Sequence, residues 1–457
     1  MKLIIVQFTT SGVRNLEKDI TLDFSDYGLS KNIDLSHSNI KGIYGTNGSG
    51  KTSLLLSFYL LGQLGKDRNF LATKKSYLDR ILNKKTRAFH GRVVFSTYDE
   101  KTKKRLGTFA YEIRVHKKAG EYLIESEKFA KIIGRTINEA EKPVFETHKG
   151  KLLFYAGNDE HERREADEKT VNLLLTNPFF TLFSPTKFSK MKEETQKSEH
   201  DQATLSEEGF LSLYLYLNSL SFFIDEEDLH INPTPAEMGI NEILSSNISA
   251  QEKGDALLSS ANGLLGNLFS KKIMEGSIVV PKNRFSEFQD KIKRLEDFIR
   301  LFKSHLRGIK IERKVISQSY LCNLIFEYPD YSIDATLESS GIRRLIRLFR
   351  SLLLCARGAN VFIDEIDTCI HDVYLEKLIE FFERYGKGQL TFTSHNINLM
   401  NQLKSLKHSI DFLNDENELV SWTRSGRLNP ANRYREGWIP KNALNIDAIN
   451  FLPIFGE

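Results

Sequence analysis

Residues 45–52 read Gly45-Thr46-Asn47-Gly48-Ser49-Gly50-Lys51-Thr52, and residues 361–365 read Val361-Phe362-Ile363-Asp364-Glu365. The first stretch follows the strand-like Ile40-Lys41-Gly42-Ile43-Tyr44 and opens the helix-like run Thr52 to Leu61. Glycines at 45, 48 and 50 let the backbone turn tightly and aim its amides at a phosphate. Lys51 then reaches the outer phosphates, Thr52 offers a hydroxyl to magnesium, and the helix N-terminus adds a favourable dipole. The second stretch is an apolar strand ending in two carboxylates. Asp364 suits a magnesium shell, and Glu365 is placed to polarise an attacking water. The two stretches together predict a chain that binds ATP with Mg2+ and hydrolyses it. Asn47, Gly48, Ser49, Gly50, Lys51, Thr52 and Ser53 form the expected phosphate cradle, and Thr52 with Asp364 the metal site.

Two further motifs lie beside these. Thr391-Phe392-Thr393-Ser394-His395 ends the next strand, so His395 can face the γ-phosphate or the lytic water. With Glu365 and Lys51 it completes the expected catalytic set. Leu337-Glu338-Ser339-Ser340-Gly341 precedes the helical stretch Gly341 to Leu354. Such a segment serves as a helix N-cap in many chains, and its hydroxyls and amides can also hold a phosphate presented by another subunit.

This order of motifs resembles the ABC-type ATPases of the AAA-15/AAA-21 group, which includes prokaryotic phage-defence and abortive-infection ATPases and the ATPase half of overcoming-lysogenisation-defect nucleases. The resemblance covers residues 1 to about 60 and 335 to 425. It implies that Ser339, Ser340 and Gly341 stand where the ABC signature stands, that Asp367 is the D-loop aspartate, and that His371 matches the histidine after that loop. It also implies a nucleotide shared between two heads, hence a homodimer or higher homo-oligomer formed through the ATPase heads. The chain departs from the pattern in three places. Leu-Glu-Ser-Ser-Gly replaces Leu-Ser-Gly-Gly-Gln, no glutamine is assignable to the Q-loop, and Val13-Arg14-Asn15 matches the family's Asn-Phe-Arg segment imperfectly.

The expected fold is α/β: an ABC-type P-loop ATPase head with a mixed central sheet, an antiparallel side sheet and a large, mainly helical insertion. Three parts are expected. Residues 1–157 form an N-terminal lobe, with strand-like pieces at 91–98, 108–115, 122–127 and 151–155. Residues 158–335 form the insertion, serving as lid, oligomer contact or partner contact. Residues 336–457 form a C-terminal lobe. The insertion opens with the mixed-charge run Asn158 to Lys169, read as a solvated helix face. Helical periodicity recurs from Gly209 to Ile224 and from Phe285 to Leu306, and Ser245 to Asn267 reads as a loop.

A net charge of +4 on 457 residues, with 27% charged and 40% hydrophobic, fits a soluble protein and leans only weakly toward nucleic acid. Two basic clusters allow a DNA contact: Lys101-Thr102-Lys103-Lys104-Arg105, and the looser set Arg424, Arg427, Arg433 and Arg435. Cys322, Cys355 and Cys369 match no metal or redox spacing and read as buried thiols. The apolar start Met1 to Val6 reads as a strand rather than a leader, and no run is long enough to span a membrane, so a cytoplasmic protein is expected. The functional expectation is an intracellular ATPase of an antiviral defence system that senses an invader or controls a separate toxic effector protein, a nuclease or toxin, because the 30 residues after Arg427 leave no room for a nuclease domain. The alternative is a DNA-bound recombination or repair ATPase of the same superfamily. The insertion and the atypical signature disfavour a transporter subunit, and Glu365 with His395 favour turnover over an inert scaffold.

Overall fold

The strand that feeds the glycine loop, β3 (Ile40–Gly45), is buried along its whole length. The computed structural model, which describes residues 1–33, 38–195, 204–224, 277–368, 370–422 and 429–437, places it in the middle of a six-stranded sheet. With β1 (Lys2–Ser11), β2 (Ile20–Asp23) and β4–β8 assigned to a second sheet, the order around β3 is β17-β16-β3-β15-β14-β9. Here β9 is Leu220–Phe223, β14 Asn360–Ile363, β15 Leu390–Thr393, β16 Ile410–Leu413 and β17 Leu419–Ser421. All neighbours in it are parallel except β16 and β17. Parallel strands covered on both faces read as continuous apolar runs, as Val361-Phe362-Ile363 does.

The side sheet has seven strands in the order β2-β1-β4-β5-β6-β7-β8, all antiparallel. Its long members are β4 (Ala88–Tyr98), β5 (Arg105–Lys118) and β6 (Glu121–Ile132), followed by β7 (Glu141–His148) and β8 (Lys151–Tyr155). Helix α1 (Lys51–Lys66) lies between the two sheets, which explains why it is apolar nearly all round. Phe58 of α1 has its ring centroid 3.6 Å from Phe8 of β1 and 4.4 Å from Phe362 of β14. One fully buried phenylalanine of this kind contributes roughly 2–3 kcal/mol. Here it fixes the start of α1, and so the glycine loop, relative to the Asp364 strand.

After α2 (Phe70–Thr73) and α3 (Lys75–Ile81), three helices close over the side sheet: α4 (Glu160–Thr170), α5 (Phe179–Thr195) and α6 (Leu205–Ser219). Aromatic contacts join them: Tyr216 stacks 4.6 Å from Phe95, and Phe179 lies 4.8 Å from Phe145. The charged run of α4 is solvated on one side only. Glu162 is buried and pairs with buried Lys187 of α5 at 2.8 Å, while Tyr155 donates to the same carboxylate at 2.6 Å.

The chain groups into two compact units, one of residues 1–224, 355–367 and 372–457, the other of 225–354 and 368–371. These units do not divide at 157/158 or 335/336. Residues 158–224 belong to the first unit because α4–α6 cover its side sheet and β9 extends its central sheet. The helical reading of Gly209 to Ile224 is corrected at its end: the helix stops at Ser219, and Leu220-Ser221-Phe222-Phe223 pairs with β14. A short apolar run has no period that separates a buried strand from a helix turn.

In the second unit, β10 (Ile278–Pro281), β12 (Ser319–Glu327) and β11 (Gly308–Ile316) form an antiparallel sheet, and β13 (Ser332–Asp334) pairs with β12. Helix α7 (Phe285–Phe302) buries Phe288, Ile292, Leu295 and Ile299, the stripe read from the sequence. Helix α8 (Ser340–Ala356) begins in this unit, and its residues 355 and 356 belong to the first. Helix α9 (Asp372–Tyr385) and the short α10 (Leu399–Leu403) and α11 (Pro430–Arg435) complete the first unit. Among its described residues the segment 158–335 supplies helices α4–α7 together with strands β9–β13. The stretch 245–267 and Cys369 lie outside the described residues. Cys322 and Cys355 are buried and free, and burial pushes their thiols up to about 11 and about 12.

Candidate functional site

Three parallel strands end together in the first unit, and each delivers one motif. β3 runs into the glycine loop, β14 into Asp364-Glu365, and β15, between them, into Ser394-His395. Strand ends of an α/β sheet are where a crevice opens for ligands. Gly48 and Gly50 adopt φ of +82° and +107°, and Gly50 caps α1 in the left-handed region. A side chain at Gly50 would also meet Leu16 and Asn15 at 2.9 and 3.1 Å, so this position needs glycine twice over.

A cavity of about 270 Å³ opens over these ends, lined by Asn47, Gly48, Gly50, Lys51, Thr52, Ser53, Asp364, Glu365 and His395, with Arg14 and Asn15. Ser49 is buried beneath the loop. A larger cavity of about 1220 Å³, bounded by Ile4, Val6, Arg105, Lys404 and Trp422 among others, contains none of the motif residues. Convergent chemistry rather than size therefore marks the site.

Within it the Lys51 ammonium donates to the Gly45 and Thr46 carbonyls, each at 2.9 Å. Burial lowers its pKa, and the Asp364, Glu365 and Asp367 carboxylates oppose that shift. The Thr52 hydroxyl donates to Asp364 Oδ2 at 2.7 Å. Thr393 Oγ1 donates to Asp364 Oδ1 at 2.5 Å and accepts the Glu365 amide at 2.8 Å. One threonine thus ties the Asp364 carboxylate to the Glu365 backbone, with Glu365 exposed in the left-handed region at φ +48° and Asp364 buried. A non-glycine residue in that region costs on the order of 1 kcal/mol, a strain typical of functional positions. His395 is lowered by burial and then by Lys51, against the pull of Asp367, Glu365 and Asp364, so its imidazole is mostly neutral at pH 7. Its backbone amide donates to Asp367 Oδ2 at 3.2 Å.

Thr393 and Asn15 carry site geometry that sequence reasoning did not assign. Asn15 Nδ2 donates to the Gly48 carbonyl at 2.9 Å and to Asn417 Oδ1 at 2.5 Å, and its Oδ1 accepts from Ser53 Oγ at 2.9 Å. The signal for Asn15 was present in the imperfect Val13-Arg14-Asn15 segment. That for Thr393 was its place at the end of the strand next to Asp364.

Ser339, Ser340 and Gly341 belong to the second unit. Ser339 caps α8: its Oγ accepts the Ile342 amide at 3.4 Å and its carbonyl the Arg343 amide at 2.9 Å. The buried Glu338 carboxylate accepts the Ser339 amide at 3.0 Å and the Tyr328 hydroxyl at 2.5 Å. Ser339 and Ser340 are exposed, and a side chain at Gly341 would meet nothing within 4 Å. Capping and openness coexist here: Ser339 caps the helix, and the space beside Gly341 stays open.

Magnesium fits the donors present, since hydroxyl and carboxylate oxygens at Thr52 and Asp364 are the hard ligands it prefers. Among the described residues no group of three or more His, Cys, Asp or Glu could hold a metal ion, and no helix is long and apolar enough to cross a membrane. The first basic cluster is partly structural. Arg105 donates to Ser30 O at 2.9 Å and Ser96 Oγ at 2.5 Å, and Asp99 ties Lys101 and Thr102 into a turn. In the second cluster Arg433 stands over the Trp422 ring at 5.7 Å, while Arg424 and Arg427 lie outside the described residues.

Residues 283–401 match the family model described as an AAA domain, putative AbiEii toxin, Type IV TA system. The match takes in Ser339–Gly341, Asp364, Glu365, Asp367 and His395 and begins after the glycine loop. That segment is therefore similar to the AAA domains of the AAA-21 group of ABC-type ATPases. A comparison with curated proteins gave no match. Among solved structures, an Smc head domain with an extended coiled coil from Pyrococcus furiosus, bound to the C-terminal domain of ScpA, is 11% identical with a TM-score of 0.39, covering 92% of this chain and 96% of that one. An Smc head with coiled coil and joint from Pyrococcus yayanosii is 11% identical at a TM-score of 0.42, covering 95% and 99%. The recombination mediator RecF with ATP is 11% identical at 0.37, covering 92% and 99%. These scores are too low to add to what the strand order and motifs establish.

Proposed function

We propose that the chain hydrolyses ATP at a site completed by a second copy, and that it uses the cycle to control a separate toxic effector in a defence system. The carrying observation is the convergence of Lys51, Thr52, Asp364, Glu365 and His395 on one cavity at three parallel strand ends. The glycine-loop amides and Lys51 bind the phosphates, with Asn15 and Ser53 bracing the loop. Thr52 and Asp364 would hold magnesium, which would neutralise charge on the phosphates. Thr393 fixes Glu365 beyond Asp364, where its carboxylate orients the attacking water and draws off its proton. Neutral His395 holds the water or the γ-phosphate by hydrogen bond. The open first turn of α8 presents Ser339, Ser340 and Gly341 to the γ-phosphate of another subunit, and Asp367 serves as the D-loop aspartate.

The defence setting draws on the family description, which names a putative toxin and a Type IV toxin–antitoxin system; placing the toxic chemistry on a separate protein is our inference from a site whose residues all serve nucleotide hydrolysis. Glu365→Gln keeps the shape and loses the base. It should bind ATP normally and release phosphate about 100-fold more slowly or worse, the usual contribution of a positioned base. Turnover within twofold of wild type in a steady-state phosphate assay would show that another group positions the water.

A further inference from the structure

Between Lys66 and Arg87 the chain carries eight cations and two acids, a surplus of six on a protein whose net charge is +4. Part of this surplus surrounds a cleft of about 250 Å³ lined by Asp79, Leu82, Lys84, Arg87, Lys117 and Tyr122. Asp79 is its one acid and is already engaged, by the Lys117 ammonium and by the Tyr122 hydroxyl at 2.8 Å. Among the described residues neither Lys84 nor Arg87 has a carboxylate in ion-pair range, and both are exposed; the Lys84 ammonium donates to the Asp79 and Arg80 carbonyls, which leaves its charge uncompensated. Lys75 and Lys118 flank the cleft through Glu121, which pairs with Lys75 at 2.7 Å and stands opposite Lys118 in the β5–β6 register.

The same loop is tied to the nucleotide cavity. Asn83 Oδ1 accepts the Lys85 and Thr86 amides at 2.9 and 3.1 Å, which shapes the basic loop. Its Nδ2 donates to the Arg14 carbonyl at 2.8 Å, and its amide to Gly12 O at 2.8 Å. Arg14, held at φ +50°, leads directly to Asn15, which grips the Gly48 carbonyl. One short hydrogen-bonded path therefore joins the cations to the glycine loop.

We propose that the Lys84–Arg87–Lys117 cleft binds the phosphate backbone of a nucleic acid and that Asn83 relays its occupancy to the glycine loop. The relay half rests on the ATP-site reading above; the binding half does not. A phosphate backbone needs cations alone, whereas an acidic protein also needs apolar anchors, and Leu82 and the Tyr122 ring are both buried here. If occupancy changes affinity for ATP, then ATP changes affinity for nucleic acid by the same factor.

The test uses the full chain and fluorescein-labelled DNA, single strand and duplex, followed by anisotropy across a salt series without nucleotide. Wild type should bind with a steep salt dependence. Lys84→Glu with Arg87→Asn, the asparagine chosen because Arg87 sits at φ +46°, should weaken binding about tenfold or more and lower the log–log salt slope by about 1.5. Lys117→Gln serves as a second variant, and melting curves show whether each folds. Unchanged affinity in both folded variants overturns the site. Equal binding of polyglutamate at the cleft assigns it to an acidic protein and overturns the nucleic-acid proposal. Asn83→Ala, measured at DNA concentrations that saturate it, should lose the DNA-induced shift in ATP affinity, expected at about fivefold or more in wild type. An identical shift in that variant overturns the relay. Wild type that binds DNA and no ATP would sink the ATP-site reading alone.

Discussion

The two glycine-bearing motifs of this chain are built on opposite terms. At 45–52 the loop is clamped from within its own unit: Gly50 is left-handed against Leu16 and Asn15, Lys51 is folded onto two loop carbonyls, and Asn15 and Ser53 brace the turn. At 339–341 the segment caps a helix and then faces open space, with no atom within 4 Å of where a Gly341 side chain would lie. A clamped loop is preorganised to bind its ligand unaided. An open one has room beside its glycine, which is where the proposed second copy would present its phosphate.

The largest effect that bears on this contrast is on nucleotide affinity. Lys51→Ala removes a partly desolvated cation from the clamped loop and should weaken magnesium–ATP binding by about 3 kcal/mol, roughly 100-fold. Wild-type affinity by titration calorimetry would remove the phosphate assignment. A smaller effect separates the two glycines by stability alone. Gly50→Ala forces a side chain into a left-handed, occupied position and should lower the melting temperature, with a cost of about 1–3 kcal/mol. Gly341→Ala lies in a first helical turn with space around it and should be neutral or stabilising by up to about 1 kcal/mol. Equal destabilisation by both would erase the contrast.

A pH effect should be confined to the unit that holds the clamped loop. Glu127, fully buried in the side sheet, accepts the Tyr111 hydroxyl at 3.0 Å and the Phe179 amide at 2.5 Å, and burial pushes its carboxyl up to about 7. A carboxyl raised in the folded state contributes stability that is full below its unfolded pKa, near 4.5, and is lost as pH rises through about 7. Hydrogen exchange across α5 and the side sheet should therefore quicken from pH 5 to pH 8 beyond the intrinsic rate change, and Glu127→Gln should flatten that dependence. A wild-type profile already flat after that correction would contradict the burial argument.

Much of the clamped region was legible because its chemistry is local in sequence. Eight consecutive residues carry the phosphate loop, and the strand ends at Asp364 and His395 announce themselves by apolar runs broken by polar residues. The stripe of α7 was equally plain. Asn15 and Thr393 were not, because their roles depend on partners 33 and 29 residues away along the chain. Strand β9 hid in an apolar run long enough to read as helix. In the second unit β11 alternates weakly, since it faces solvent over much of its length, and its pairing with β12 is decided by tertiary contact. The two-unit division was invisible for a related reason: residues 158–224 join the first unit through aromatic packing that no period records.

The central claim is that the open segment completes the clamped site of another copy. Lys51→Ala and Gly341→Asp subunits, each inactive alone, are mixed under conditions that allow exchange, and phosphate release is measured on confirmed hybrids. A two-site dimer should regain activity, because one of its composite sites keeps both Lys51 and Gly341. Hybrids as dead as either parent would contradict completion in trans.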